Sequence, residues 1–120
     1  MMVLAVVDDL LFQSKIEAAA LQAGVAVNVA RDRHALLSGS DHPSWALTFI
    51  DLELLADDPL AVLTHVKQLS PSAPVIGFCS HGDVELQERA RQAGCDVVMP
   101  RSAFVRELPQ LLQPPSSAPR

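Results

Sequence analysis

Three aspartates in the sequence follow directly on apolar runs. Asp8 and Asp9 come after the run at 2–7, and Asp51 comes after the run at 46–50. If these runs are neighbouring strands, the carboxylates meet at one edge of a sheet and repel one another unless a cation lies among them. Oxygen ligands that leave room for water suit Mg²⁺. The pattern therefore favours a metal or phosphate site over three unrelated turns or helix caps.

Three further residues with polar or reactive side chains follow the later apolar runs. Cys79 and Ser80 come after 74–78, and Arg101 comes after 96–99. An arginine here either binds a pair of phosphoryl oxygens or neutralises the acidic residues as a surface side chain, and the spacing leaves both interpretations open. Neighbouring carboxylates should raise the pKa of the Cys79 thiol, which favours packing as a small apolar residue over a role as a nucleophile.

The elements that must position these residues alternate between strand-length apolar runs and segments of helical period. We predict strands at 2–7, 25–30, 46–50, 74–78 and 96–99. Helices are predicted at 12–23 (closed by Gly24), at 32–38, from Asp58-Pro59 to Leu69, at 83–93 (closed by Gly94), and over a last segment that carries Phe104, Leu108, Leu111 and Leu112. Pro109 argues against an unbroken helix from Ser102 and moves the expected start of the last helix to near Arg106.

Five β-α units in this order predict an α/β fold with a doubly wound parallel sheet. We expect five strands in the order 2-1-3-4-5, with helices on both faces. In such folds the functional site lies beyond the carboxyl ends of the strands. The 120 residues fit one domain at 1–113, and the Pro/Ser-rich stretch at 114–120 is expected to be a disordered tail.

Composition and charge argue against several classes of function. A net charge of −5 without any basic run argues against a nucleic-acid binder. The apolar run at the start ends at Asp8, far short of the ~20 residues of a membrane span, and it lacks the flanks of a signal peptide. Cys79 and Cys95 have no CxxC spacing, which indicates reduced thiols in a cytoplasmic protein. We therefore expect neither a nucleic-acid nor a membrane partner.

Four segments carry a resemblance to a known family. They are VVDD at 6–9, LTFIDLEL at 47–54, PVIGFCSHGD at 74–83 and AGCDVVMPRSAF at 93–104. Over residues 2–112 the chain resembles a bacterial response-regulator receiver domain. The resemblance implies that Asp8, Asp9 and Asp51 hold Mg²⁺, with the backbone carbonyl of Glu53 as a further ligand. It also implies that Asp51 is the phosphoacceptor.

The chain departs from that family's pattern at the phosphate and switch positions. Cys79 stands where the family has Thr or Ser, and Ser80 is one position late. Arg101 replaces a lysine and is followed by Ser102 in place of proline, while Val98 stands at the position of the aromatic switch residue. The acidic half of the site is complete, but the half that senses a phosphoryl group is not.

The resemblance, with these departures, implies a stand-alone, atypical receiver module that works through protein–protein contacts. Two versions are open: one phosphorylated at Asp51, and a pseudo-receiver, which we favour. The expected partners are a histidine kinase or phosphotransfer protein, a downstream signalling protein, or a second copy in a homodimer. By analogy they contact the face of the fourth helix, fifth strand and fifth helix, which carries Arg89, Arg91 and Arg106.

An enzyme is the alternative that we weigh against this expectation. A small Mg²⁺-dependent phosphohydrolase would use Asp51 as its nucleophile and Glu53 as a partner acid, through an aspartyl-phosphate intermediate. Such enzymes usually carry a DxD on the first strand and a cap or substrate pocket, and this sequence indicates neither. We therefore predict that the protein is not an enzyme.

Overall fold

The strands of the protein form one parallel sheet. The computed structural model describes residues 2–31, 46–55, 59–69, 72–80 and 82–112. Its strands are β1 (Met2–Val6), β2 (Ala26–Ala30), β3 (Leu47–Asp51), β4 (Val75–Cys79) and β5 (Val97–Pro100). All neighbours pair in parallel, in the order β2-β1-β3-β4-β5. The predicted strand number, direction and order are confirmed, with each boundary within one residue of the expected one.

Helical segments follow four of the five strands in the described residues. They are α1 (Leu10–Ala23), a 3-10 turn (Leu52–Leu55), α2 (Pro59–Leu69), α3 (Val84–Gln92) and α4 (Arg101–Leu111). The predicted helix at 32–38, the predicted cap Asp58 and the tail at 114–120 lie outside the described residues. Over the part of the chain that is described, no helix is long and apolar enough to cross a membrane.

Apolar side chains on both faces of the sheet form two core clusters. Helices α1 and α4 cover one face through Ile16, Ala20, Phe104 and Leu108. Helices α2 and α3 cover the other through Leu63, Val66, Leu86 and Ala90. The central strands β3 and β4 are buried along their whole length, as expected for parallel strands covered on both sides. The doubly wound arrangement is therefore confirmed.

Helix α1 begins and ends where local chemistry dictates. Asp9 is its N-cap and Gly24 its C-cap. Gly24 has a φ of 71°, in the left-handed region that glycine adopts without a steric penalty, and its N–H donates to Ala20 and Leu21. The predicted stop of this helix is confirmed.

The predicted start of the last helix is wrong. Helix α4 begins at Arg101 and continues through Pro109 to Leu111, whereas a start near Arg106 was expected. Pro109 is exposed and lies in the last turn, so its ring removes only one backbone hydrogen bond there. Phe104 and Leu108 are both buried against the sheet, and this packing outweighs the local penalty.

A charged pair fastens helix α2 to the amino ends of β4 and β5. Lys67 Nζ lies 2.7 Å from Asp96 Oδ2, and the same oxygen accepts a 2.7 Å hydrogen bond from the Val75 N–H. Burial acts to raise the pKa of Asp96, but the hydrogen bonds from Lys67 and Val75 prevail and hold that pKa below its usual value. The ionised form of Asp96 therefore stabilises the fold.

We expect Asp96→Asn to lower the free energy of unfolding by about 1 kcal/mol at pH 7. Solvent screens much of the ion pair with Lys67, whereas the hydrogen bond from the Val75 N–H is partly buried and less screened. Because the folded pKa is depressed, this contribution is present above the unfolded pKa and is lost as pH falls through the folded one. Urea denaturation at pH 7 and in acid measures it. Glu88→Gln, which removes an exposed pair with Arg91, is the control. A difference that persists in acid would contradict the assignment.

Candidate functional site

Asp51 is a buried carboxylate at the carboxyl end of β3. The residue is only 4% exposed. The 3-10 turn that follows brings the Glu53 N–H to 3.1 Å from Asp51 Oδ1, where it donates a hydrogen bond. Burial raises the pKa of Asp51 above its usual value, and the Arg101 guanidinium opposes that rise. A charged group in this position needs a close counter-ion.

Arg101 supplies that counter-ion. It is the first residue of α4, directly after β5, and its Nη2 lies 3.0 Å from Asp51 Oδ1 and 3.2 Å from Oδ2. Its Nε donates to Glu53 Oε1 at 3.2 Å, and Nη2 also contacts that oxygen. The structure therefore shows Arg101 in contact with the acidic residues, and binding of a phosphoryl group by this arginine stays a prediction.

Glu53 joins Arg101 to the end of β4. Its second carboxylate oxygen, Oε2, accepts a 2.9 Å hydrogen bond from the Ser80 hydroxyl. The hydrogen bond from Arg101, with a further contribution from Ser80, holds the pKa of Glu53 below its usual value. We call the four residues Asp51, Glu53, Ser80 and Arg101 the Arg101 network. It links the carboxyl ends of β3, β4 and β5.

Two phenylalanines that the sequence analysis did not assign to the site lie beneath the guanidinium. Arg101 Cζ is 5.2 Å from the ring centre of Phe12 and 5.6 Å from that of Phe78. Phe78 stacks in turn on Phe104, with 4.3 Å between ring centres. The chain has only four phenylalanines, and the fourth, Phe49, packs edge-on against Phe104. That scarcity was the one signal in the sequence that could have drawn attention to them.

Asp8 and Asp9 lie at the same edge of the sheet but do not join the Arg101 network. Asp9 Oδ1 accepts hydrogen bonds from Leu11 N at 2.8 Å and Phe12 N at 3.3 Å, so it caps helix α1. Asp8 is exposed just beyond β1. In the residues that the structure describes, no group of three His, Cys, Asp or Glu side chains is arranged to hold a metal ion.

As arranged, these donors suit Mg²⁺ poorly. Both oxygens of Asp51 contact Arg101, and one oxygen of Asp9 is committed to the helix. Asp8, Asp9, Asp51 and the backbone carbonyl of Glu53 were predicted to hold Mg²⁺, and that site stays a prediction. The positive charge that the structure shows beside Asp51 is that of Arg101.

The remaining predicted positions lie in or beside the core. Cys79 is fully buried at the end of β4, and burial, followed by the Asp83 carboxylate, raises the pKa of its thiol, as predicted for a small apolar residue. Cys95 is also buried, and both cysteines are free thiols. Val98 is half-buried in β5 and packs against the cluster under α2 and α3. Neither Cys79 nor Val98 contributes to the Arg101 network.

Solved structures of known proteins resemble this chain. No family model matches it, and no curated protein does. A response regulator receiver domain protein (CheY-like) from Methanospirillum hungatei superposes with a TM-score of 0.77 at 19% identity, over 92% of this chain and 89% of that one. A response regulator from Burkholderia pseudomallei, solved with a phosphorylated aspartic acid, calcium and citrate, gives 0.78 at 21% identity, over 97% of this chain and 68% of that one.

A third structure is much longer than this chain. NtrX from Brucella abortus in complex with ADP gives a TM-score of 0.76 at 22% identity, over 92% of this chain. The chain spans only 25% of the length of that protein. All three similarities cover nearly the whole of this chain, and the parallel sheet in the order 2-1-3-4-5 agrees with them. The chain has the fold of a response-regulator receiver domain.

Proposed function

We propose that this chain is an atypical receiver module of two-component signalling, which acts through contacts with other proteins and whose phosphoryl switch is degenerate. The Arg101 network carries the proposal. It occupies the carboxyl edge of the sheet, where folds of this class place their sites. Asp51 is its one candidate phosphoacceptor, and both oxygens of that residue already contact Arg101.

The donors that would respond to a phosphoryl group on Asp51 are weak or already engaged. Cys79 carries a thiol, which is a poor hydrogen-bond donor, and the Ser80 hydroxyl donates to Glu53. Val98 has no ring to change position. Shifting a two-state equilibrium from 1:99 to 99:1 takes about 5.5 kcal/mol of differential binding, whereas one hydrogen bond to a charged group is worth roughly 1.5–3 kcal/mol. The switch therefore falls short of completion.

In this proposal, Mg²⁺ binds only weakly at Asp8, Asp9 and Asp51. A divalent ion has to compete with Arg101 for the oxygens of Asp51 and with the helix N-terminus for Asp9. The calcium ion and phosphorylated aspartate in the Burkholderia pseudomallei protein support a divalent site in the fold. The residues of this chain support a weaker one.

The proposed partners are a histidine kinase or phosphotransfer protein, a downstream signalling protein, or a second copy of the chain. The fold shared with response-regulator receiver domains supports the first class. The proposal places the module in the cytoplasm, since its two free, buried cysteines suit a reducing compartment.

The phosphohydrolase alternative is less well supported by the site. Its partner acid would be Glu53, but that carboxylate is held ionised by Arg101, with its pKa below the usual value. An acid of this kind is a poor proton donor near neutral pH. Turnover of a generic phosphate ester that is abolished by Asp51→Asn would revive this alternative.

Intact-mass measurement after incubation with acetyl phosphate and Mg²⁺ tests the proposed version of the module. We expect the wild-type protein to remain unmodified, because the nucleophilic oxygens of Asp51 are paired with Arg101. The Asp51→Asn variant is the control for adducts elsewhere on the chain. A phosphate adduct on the wild type that disappears in Asp51→Asn would show a working phosphoacceptor and overturn the pseudo-receiver version.

Charge reversal tests the proposed contact face. Arg89 and Arg91 on α3 and Arg106 on α4 are exposed, and the pairs of Arg91 and Arg106 with neighbouring glutamates are long, at 3.7 and 3.8 Å. Replacing all three by glutamate should slow association with the cognate kinase or effector and weaken binding, as rim charges do. Titration calorimetry measures the affinity, with Lys15→Glu on α1 as the control. Unchanged affinity in the triple variant would count against this face.

A further inference from the structure

We infer that Arg101 determines the cation preference of the acidic pocket formed by Asp8, Asp9, Asp51 and Glu53: the Arg101 guanidinium is the resident counter-ion of Asp51 and lowers the affinity of the pocket for divalent cations. This inference rests on the proposed function only for the pocket's place in a receiver module. It concerns the unphosphorylated protein and can be tested without any phosphodonor.

The guanidinium of Arg101 lies directly against the Asp51 carboxylate. Asp51 is the one carboxylate buried in the described part of the chain, and one nitrogen of Arg101 lies within 3.2 Å of both its oxygens. A second cation at those oxygens would lie close to the positive charge of Arg101 and be repelled by it. Because Asp51 is buried, this repulsion is less screened there than between charges on an open surface.

Arg101 is held in place by contacts on several sides. Glu53 receives hydrogen bonds from its Nε and Nη2 and is held in turn by the Ser80 hydroxyl. The guanidinium also lies over the rings of Phe12 and Phe78, contacts that a planar guanidinium makes better than an ammonium. Moving Arg101 away from Asp51 breaks all of these contacts together, so displacement of Arg101 by a metal ion has a high free-energy cost.

Two other carboxylates at this edge of the sheet already have partners within the chain. Asp9 is committed through Oδ1 to the N-terminus of α1, and Glu53 is committed to Arg101 and Ser80. A divalent ion that approached Asp51 would therefore compete with these contacts for the carboxylate oxygens.

Calorimetric titration with MgCl₂ at constant ionic strength, without phosphodonor, tests the inference. Arg101→Gln should lower the Kd for Mg²⁺ at least tenfold, which corresponds to about 1.4 kcal/mol. Lys15→Gln removes the same charge from an exposed position on α1 and should leave the Kd within about twofold of wild type, since distant exposed charges are screened. Adding Asp51→Asn to Arg101→Gln should abolish the gain.

Equal effects of Arg101→Gln and Lys15→Gln would overturn the inference, as would a gain that survives Asp51→Asn. If Arg101→Gln does not fold, Arg101→Met serves instead. It removes the charge but keeps an unbranched apolar side chain over the rings of Phe12 and Phe78, so its Kd should fall below that of the wild type. A Kd equal to the wild-type value would refute the inference.

The result is separable from the test of the proposed function. A phosphate adduct on the wild-type protein would contradict the pseudo-receiver version while leaving the measured cation preference unchanged. Conversely, Mg²⁺ affinity that does not depend on Arg101 would remove the inference and leave the receiver module standing.

Discussion

Replacing Phe104 with alanine is expected to lower the free energy of unfolding by about 3–5 kcal/mol, as for other buried aromatic residues. Phe104 is fully buried in α4. Its ring stacks on Phe78 at 4.3 Å, meets Phe49 edge-on at 5.0 Å and lies 6.3 Å from Phe12. The substitution would leave a cavity between α1, α4 and the sheet, in the middle of the largest aromatic cluster of the protein.

Urea denaturation followed by far-UV circular dichroism measures this loss. Phe104→Leu is the matched control, because it keeps most of the apolar volume, and we expect it to cost about 1–2 kcal/mol. Equal losses for the two variants would contradict the packing assigned to the ring. Phe78 lies under Arg101, so Phe104→Ala should also weaken the packing beneath the guanidinium.

Removal of Arg101 has the second-largest expected effect. Breaking a buried ion pair on one side typically costs about 3–5 kcal/mol. The side chain of Arg101 is 27% exposed, so solvent screening reduces that cost, and we expect Arg101→Gln to lose about 1–3 kcal/mol at neutral pH. The loss is limited further because Asp51 can take up a proton instead of remaining as an unpaired charge.

The pH dependence of this loss has a definite sign. Burial already raises the pKa of Asp51, and Arg101 opposes the rise, so the pKa should be higher still in Arg101→Gln. Folded protein then binds more protons than unfolded protein between the usual aspartate pKa, about 3.9, and the raised one. Stability falls as pH rises through that window. The difference from wild type should therefore be smallest below about pH 4 and grow towards neutral pH.

Denaturation curves of the wild type and Arg101→Gln at a series of pH values check this expectation. The double variant Arg101→Gln with Asp51→Asn should lose the part of the pH dependence that comes from Asp51, because no carboxyl group remains at position 51 to titrate, and should keep the part that comes from Glu53. A difference between wild type and Arg101→Gln that stays constant from acid to neutral pH would show that Arg101 stabilises the fold through packing on Phe12 and Phe78 alone.

Hydropathy and local chemistry in the sequence were enough to predict the architecture. Largely apolar runs of four to six residues, separated by segments of helical periodicity, indicated the parallel sheet and the order of its strands. Gly24 marked the end of α1 because few other residues adopt its left-handed backbone. These features depend on short stretches of chain, so they can be recognised without knowing what packs against them.

The start of α4 shows where local rules failed. Pro109 disfavours a helix when the segment is considered alone, but the buried side chains of Phe104, Leu108 and Leu112 face strands far away in the sequence. Apolar burial of this size outweighs one lost hydrogen bond. Only the assembled sheet reveals that balance.

For the site, the sequence alone determined which residues meet at one edge of the sheet, since the carboxyl ends of parallel strands coincide there. It placed Asp51, Ser80 and Arg101 at that edge and indicated that the carboxylates require a cation. The tertiary structure decided that Arg101 pairs with Asp51 and Glu53. Arg101 and Asp51 are fifty positions apart, Asp9 faces the backbone of its own helix, and Phe12 and Phe78 lie beneath the guanidinium. Hydrogen bonds and ring contacts depend on distances of a few ångströms, and those distances are set only when β3, β4, β5 and α1 pack together.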